Sequence, residues 1–210
     1  LTDRTLVLDF DGTVTEIDLL DTLAGTFGDP EVYAEVDHGL DEGRLTLREV
    51  ITREFAPVRT PLDEVISWEL ENVRVRPGFG ELVRAAQSRG WRTVIVSSGF
   101  HELIEPILER EGVEVELHAN NIDARPEGWV VQWNYEEGCD SCGESCKRSV
   151  VRELAEGEVI YIGDGYSDRC AAEDSDRIFA TRGLADYLDA RGISYERFDD
   201  FHDVARGLAT

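Results

Sequence analysis

The segment LVLDFDGTVTE (6–16) closes an apolar run with two aspartates, Asp9 and Asp11, one residue apart. Two carboxylates that close cannot both stay ionised cheaply without a cation. Magnesium suits them, being hard, oxygen-loving and partial to carboxylates combined with phosphate. A second segment, VIVSSGF (94–100), ends its apolar run in Ser97 and Ser98, and a helical pattern begins at once. A hydroxyl beside a helix N-terminus is an anion site. A third, VIYIGDGYSD (159–168), ends in Asp164 and Asp168. Ahead of it stands Lys147, the sole lysine in a chain with 21 lysines and arginines together. An ammonium is a compact point charge with three rotatable donors, whereas guanidinium is a wide planar fork. A crevice holding a metal, two aspartates and a phosphoryl group has space for the first and not the second. Taken singly, each segment reads equally well as a capped turn, where Asp, Gly and Ser are common. Their ordered combination is the signal.

Elements remote in sequence must bring these side chains together. RTLVLDF (4–10), RTVIVSS (92–98) and EVIYIGD (158–164) are continuous β-branched runs, as expected of strands buried on both faces, and RIFA (177–180) is a fourth. Helical period fills 78–89, 100–112, 147–156, 183–192 and 199–208. The alternation predicts an α/β fold with a Rossmann-like parallel sheet. In such sheets ligands bind beyond the carboxyl ends of the strands, so all three strand-end motifs should face one crevice. Lys147, opening the helix before the third strand, belongs at the same edge. Residues 16–77 hold no strand run but several helical patterns, such as Leu20, Leu23 and Phe27, or Leu47, Val50 and Ile51. So long an insertion reads as a small helical module set into a core of 1–15 and 78–210. A second insert, 118–146, reads as irregular, with GWVVQWN (128–134) as a hairpin arm ahead of a cysteine loop.

Composition narrows the partners. The formal net charge is −24 at pH 7, which repels nucleic acid and anionic lipid. A small phosphorylated metabolite is the expected partner, held by cations gathered locally. No run of about 18 apolar residues exists to span a membrane, and no signal-peptide pattern is visible. Four cysteines in 210 residues do not make a disulfide scaffold, and cytoplasm is the expected location. No signal bears on oligomeric state.

The set DxDGT, SSG, Lys and GDGxxD resembles the haloacid dehalogenase superfamily, specifically its aspartate-nucleophile phosphatases. The resemblance covers nearly the whole chain, and in the phosphoserine-phosphatase-like branch the insertion after the first motif is a helical cap. It implies a magnesium-dependent phosphomonoesterase in which Asp9 is the nucleophile, forming an aspartyl-phosphate, and Asp11 the general acid and base. Thr13, Ser97, Ser98 and Lys147 would bind phosphate. Asp9, the Asp11 backbone carbonyl and Asp164 would bind the metal, with Asp168 orienting that shell. Asp18 and Glu16 fall where relatives place a substrate-contacting acid; Arg44, Arg48, Arg53, Trp68 and His101 are further candidates. Two departures stand out: Ser-Ser-Gly where relatives often have Ser-Gly-Gly, and Ser167 where asparagine is frequent. A phospho-accepting signalling domain also groups aspartates, a hydroxyl and a lysine around magnesium, but it lacks the acid/base aspartate and the long helical insert.

The stretch GCDSCGESCK (138–147) holds Cys139, Cys142 and Cys146. It is similar to that of the 2-hydroxy-3-keto-5-methylthiopentenyl-1-phosphate phosphatases of methionine salvage. Phosphoethanolamine/phosphocholine phosphatases carry a like stretch, and phosphoserine is a further alternative substrate. Three thiols fall one short of a structural zinc site. A fourth ligand would have to be Cys170, His118 or His101, and Cys170 reads equally as a small core residue. A tight loop and a Cys139–Cys142 redox pair are the other readings.

Overall fold

The computed structural model describes residues 4–134, 139, 141–143 and 146–209. The chain opens with strand β1 (Arg4–Leu8), then helices α1 (Leu19–Phe27), α2 (Pro30–Asp41), α3 (Leu47–Phe55), α4 (Leu62–Asn72) and α5 (Phe79–Ser88). Next come β2 (Arg92–Phe100), α6 (His101–Glu111), β3 (Glu116–Arg125), β4 (Gly128–Gln132), α7 (Lys147–Leu154) and β5 (Glu158–Gly163). A 3-10 turn (Tyr166–Asp168) runs into α8 (Arg169–Glu173), followed by β6 (Arg177–Ala180), α9 (Arg182–Arg191), β7 (Glu196–Arg197) and α10 (Phe201–Gly207).

The strands form one sheet in the order β4-β3-β2-β1-β5-β6-β7. Every pairing is parallel except the β3–β4 hairpin. The apolar runs are continuous because alternate residues feed two cores. Leu6, Leu8, Ile160 and Ile162 pack with Leu23 of α1, Phe79 of α5, Ile107 of α6 and Phe201 of α10. Val7, Val94 and Tyr161 face the other way, onto Val150 of α7, Ala171 of α8 and Leu184 of α9. No helix among the described residues is long and apolar enough to cross a membrane.

Four helices, α1 to α4, fill the stretch between β1 and α5. Its two ends are stitched together by an antiparallel bridge between Thr15 and Val75. Glu16 N donates to Arg74 O at 3.0 Å and Arg76 N to Val14 O at 2.8 Å. The Arg76 guanidinium then donates to the carbonyls of Gly12 (2.8 Å), Thr13 (3.0 Å) and Asp199 (2.8 Å), clamping the turn after β1. Helix α3 starts on a capping box: Thr46 Oγ1 accepts from Glu49 N at 3.2 Å, and the Glu49 carboxylate accepts from Thr46 N at 2.9 Å. At its other end Phe55 seats edge-on against Phe100, with ring centres 5.0 Å apart, and packs near Trp129 of β4.

Two elements differ from the sequence reading. Residues 118–125 are not irregular but belong to β3 (Glu116–Arg125), parallel to β2 and antiparallel to β4. ELHANNIDAR buries only Ala119, Asn120 and Ile122, so it lacks the apolar run that marks the central strands. Strand β2 continues through both serines to Phe100, with a register irregularity between Val96 and Phe100, and α6 follows without a loop. Part of the cysteine loop (135–138, 140, 144–145) lies outside the described residues.

Candidate active site

The chain beyond β1 turns because of Gly12. Its φ is +77°, and a Cβ there would lie 2.3 Å from Asp164 Oδ2 and 2.9 Å from Arg182 Nη1. Only glycine combines that backbone with that closeness. The turn is closed by amides of Val14 and Thr15 donating to Phe10 O at 2.9 and 3.0 Å. Asp9 stays in register with β5 through its amide, which donates to Ile162 O at 2.9 Å. Asp9 and Asp164 are thereby held side by side at adjacent strand ends.

Lys147, 4% exposed, is the first residue of α7. Its ammonium donates to Asp9 Oδ1 and, at 2.6 Å, to Asp168 Oδ1. Asp168 is fully buried and saturated. Its Oδ1 also accepts from the Tyr161 hydroxyl at 2.7 Å, and its Oδ2 accepts from the amides of Asp164 and Gly165, each at 2.9 Å. Thr13 Oγ1 donates to Asp164 Oδ1 at 3.3 Å. Ser97 Oγ donates to Asp11 Oδ2 at 2.8 Å and accepts from Gly99 N at 2.8 Å. Asp11 Oδ1 is buried and has no partner.

So many acids in one place disturb one another. Burial first, then Asp168, pushes Asp9 up to about 7, with Lys147 pulling the other way. Asp11 is raised to about 8 by burial, Asp18 and Asp9, against the Ser97 hydrogen bond. Asp164 rises to about 8 through burial, Asp9 and Asp168. Burial alone would lower Lys147, but Asp168 and Asp9 outweigh it and hold it above the ordinary lysine range. A divalent cation relieves such a cluster. Asp9, Asp164 and Asp168 each offer an oxygen within 4.8 Å of the others. Asp168 is held by four short bonds, whereas Asp164 has only the longer ones from Thr13 and, at 3.4 Å, from Arg182, so Asp9 and Asp164 are the carboxylates more open to a metal. Two carboxylates at adjacent strand ends suit a hard, oxygen-loving ion such as magnesium, so the residues fit that ion.

A cavity of roughly 200 Å³ opens over this cluster, between the strand ends and the inserted helices. Asp9, Asp11, Ser98 and Asp164 line its floor; Leu20, Leu40, Leu47, Val50 and Ile51 give it an apolar roof. Asp18 reaches the cavity but also caps α1, accepting from Asp21 N at 3.0 Å. Glu16 is exposed and not among the lining residues. Arg44 pairs with Glu42 and Arg53 with Glu35. Trp68 packs on Phe27, and His101 bonds Glu105. Arg48 comes nearer, stacking on Trp133 and lining a small recess with Ser97 and Lys147. Sequence reasoning missed Glu54 and Asp21 in the cavity wall and Tyr161 beneath it. Tyr161 had a signal: a hydroxyl inside an otherwise apolar strand needs a partner. Glu54 looks like any polar residue of an amphipathic helix, although it is only 7% exposed.

Residues 6–173 match the haloacid dehalogenase-like hydrolase family. A 2-hydroxy-3-keto-5-methylthiopentenyl-1-phosphate phosphatase of Exiguobacterium sibiricum is 29% identical, over 98% of this chain and 96% of the relative. One of the same description from Bacillus thuringiensis is 30% identical, over 95% of this chain and 93% of the relative. Among solved structures, a phospho-aspartyl intermediate analogue of phosphoserine phosphatase superposes with a TM-score of 0.75 at 16% identity, covering 98% of this chain and 99% of that one. A substrate-bound phosphoserine phosphatase gives 0.73 at 16% identity, covering 98% of each chain. At that identity the structures speak for the fold alone. The chain belongs to the haloacid dehalogenase-like hydrolase family and is a phosphatase within it.

Proposed function

We propose that the chain is a magnesium-dependent phosphomonoesterase working through an aspartyl-phosphate on Asp9, with 2-hydroxy-3-keto-5-methylthiopentenyl-1-phosphate as its substrate in methionine salvage. One observation carries the chemistry: a single buried ammonium grips both Asp9 and Asp168, in the same crevice as Asp164 and the Asp11–Ser97 pair. Asp9 attacks phosphorus in line, splitting one hard displacement into two easier ones. Lys147 neutralises Asp9 on one side and offers its remaining donor to a phosphate oxygen, joined by Ser98, while Thr13 and Ser97 spend their hydroxyl protons on Asp164 and Asp11. Asp11, its Oδ2 fixed by Ser97, carries a proton on its unpartnered Oδ1, gives it to the leaving alkoxide and then takes one from the attacking water. A carrier of that kind contributes about 10²–10⁴-fold in rate. Asp9, the Asp11 carbonyl and Asp164 would hold magnesium, which when bound would screen charge and stabilise the phosphate oxygens. The helical insertion (16–77) acts as the cap that admits and encloses substrate.

The apolar roof supports a substrate with an alkyl or thioether tail. Among the described residues, no basic one lines the cavity to meet the carboxylate of phosphoserine. Asp18, Asp21 and Glu54 in its wall favour the second reading, a phosphoethanolamine or phosphocholine whose cationic head they would attract. Cytoplasmic location fits cysteines with no disulfide among the described residues. The test is a panel of these four phosphomonoesters with and without magnesium, scored by kcat/KM, alongside Asp9→Asn. The variant should fold and release no phosphate. Turnover surviving in Asp9→Asn removes the nucleophile assignment, and preference for an aminoalcohol phosphate removes the methylthio substrate.

A further inference from the structure

Four cysteines meet outside the catalytic crevice. Cys139, Cys142 and Cys146 come from the loop before α7, and Cys170 comes from α8, 24 residues further along. Their sulfurs all lie within 4.8 Å of one another, and none is in a disulfide. We propose that these four thiolates bind a structural zinc ion that pins the Lys147 loop to the helix following Asp168. A tetrahedral site with zinc–sulfur bonds of about 2.3 Å has sulfur–sulfur edges of about 3.8 Å. The widest gap therefore needs to close by only about 1 Å on metal entry. The local backbone is shaped for it. Gly143 takes a φ of +75° immediately after Cys142, and its amide donates to Cys139 O at 2.8 Å. The Ser141 amide points at Cys139 Sγ, 3.4 Å away, as outer-shell donors to a bound thiolate do.

Ligand chemistry selects the ion. Four soft thiolates in a tetrahedron take zinc, whereas the carboxylates around Asp9 take a hard, oxygen-loving ion. With every position filled by protein, zinc here has no open coordination site and no part in the chemistry itself. Its effect is positional. Cys146 is the residue before Lys147, and Cys170 lies two residues past Asp168. Zinc thus fixes from behind the two residues whose side chains bond each other at 2.6 Å. His118 and His101 do not compete as ligands, since they bond Glu116 and Glu105.

The experiment uses the whole chain, purified with reductant and without chelator. Mass-spectrometric metal analysis should find on the order of one zinc per chain. The stripped, reduced protein titrated with cobalt should develop thiolate-to-cobalt charge-transfer absorption and the visible bands of a tetrahedral site. Cys170→Ala should weaken zinc binding by more than about tenfold. Cys170→His, which restores a fourth ligand, should recover the metal and so separate ligand loss from misfolding. A reduced protein that carries no zinc and shows no thiolate–cobalt absorption overturns the site. Undiminished zinc affinity in Cys170→Ala overturns the role of that cysteine. Both readouts are independent of phosphatase activity.

Discussion

Glu69→Gln should remove a large part of the protein's loss of stability as pH rises from 5 to 8. Glu69 lies on α4 with no exposed surface, and neither carboxylate oxygen has a hydrogen-bond partner. An ionised carboxylate cannot be kept there without compensation. Burial first, then the Asp11 charge, raise its carboxyl from 4.5 to about 9, and Arg110 offsets only part of that. The folded protein therefore keeps this proton where the unfolded chain has released it. Between those limits the native state binds more protons than the unfolded state, so stability falls as pH rises. From pH 5 to pH 8 is three units at about 1.4 kcal/mol each, a loss on the order of 4 kcal/mol. For a chain of this size that is roughly 10 °C in Tm. Glutamine has no proton to lose. Asp9, Asp11 and Asp164 also titrate near neutrality, so the difference between wild type and variant is the quantity to measure. Urea unfolding of both proteins at pH 5, 6, 7 and 8, at constant magnesium, gives it directly. Stability curves that run parallel to within about 1 kcal/mol would show Glu69 ionised in the fold and refute the reasoning.

Two further substitutions probe the crevice. Lys147→Arg should lower kcat by about 10²-fold or more, the scale for losing a preorganised charge, because the planar guanidinium cannot enter a site only 4% exposed and still reach both Asp9 and Asp168. Steady-state rates with circular dichroism as a folding control check it, and near-wild-type kcat would mean the site is roomier than described. Gly12→Ala should cost more than about 1 kcal/mol in stability, since alanine is strained at a positive φ. Its Cβ would also displace Asp164, so half-maximal activity should need more magnesium; unchanged metal dependence would clear Gly12 of that role.

The central strands were legible because burial on both faces demands β-branched runs with no polar interruption, and LVL, VIV and VIYI have none. Strand β3 was not, because it needs apolar side chains at few positions and spends Asn121 and Asp123 on exposed or half-buried ones. The motif segments were legible for a related reason: open parallel sheets send strand ends to one edge whatever separates them in sequence. What periodicity cannot reveal is which polar residue of an amphipathic helix turns inward. Glu54 and Glu69 carry the same letter as Glu49, yet they are buried while Glu49 is an exposed cap. The fourth thiol was legible only as one of three candidates, with His118 and His101, because distance along the chain says nothing of which comes near. Only the packing of α8 beside α7 puts Cys170 near Cys146.

Asp168 explains why the lone lysine is so constrained. An ammonium buried with one carboxylate is at best a break-even exchange for hydration unless further hydrogen bonds complete it. Here the Tyr161 hydroxyl and two backbone amides complete the hydrogen bonding of Asp168, and Asp168 together with Asp9 holds Lys147 charged. The same Asp168 charge pushes Asp9 towards protonation, while Lys147 pulls it back. Lys147 is therefore the counterweight that lets Asp9, the proposed nucleophile, sit beside two other aspartates. Replacing Asp168 alone would leave the ammonium to Asp9 by itself, loosening its position while removing a repulsion. Asp168 thus acts on Asp9 by setting where the positive charge stands, a positioning role that needs no contact with substrate.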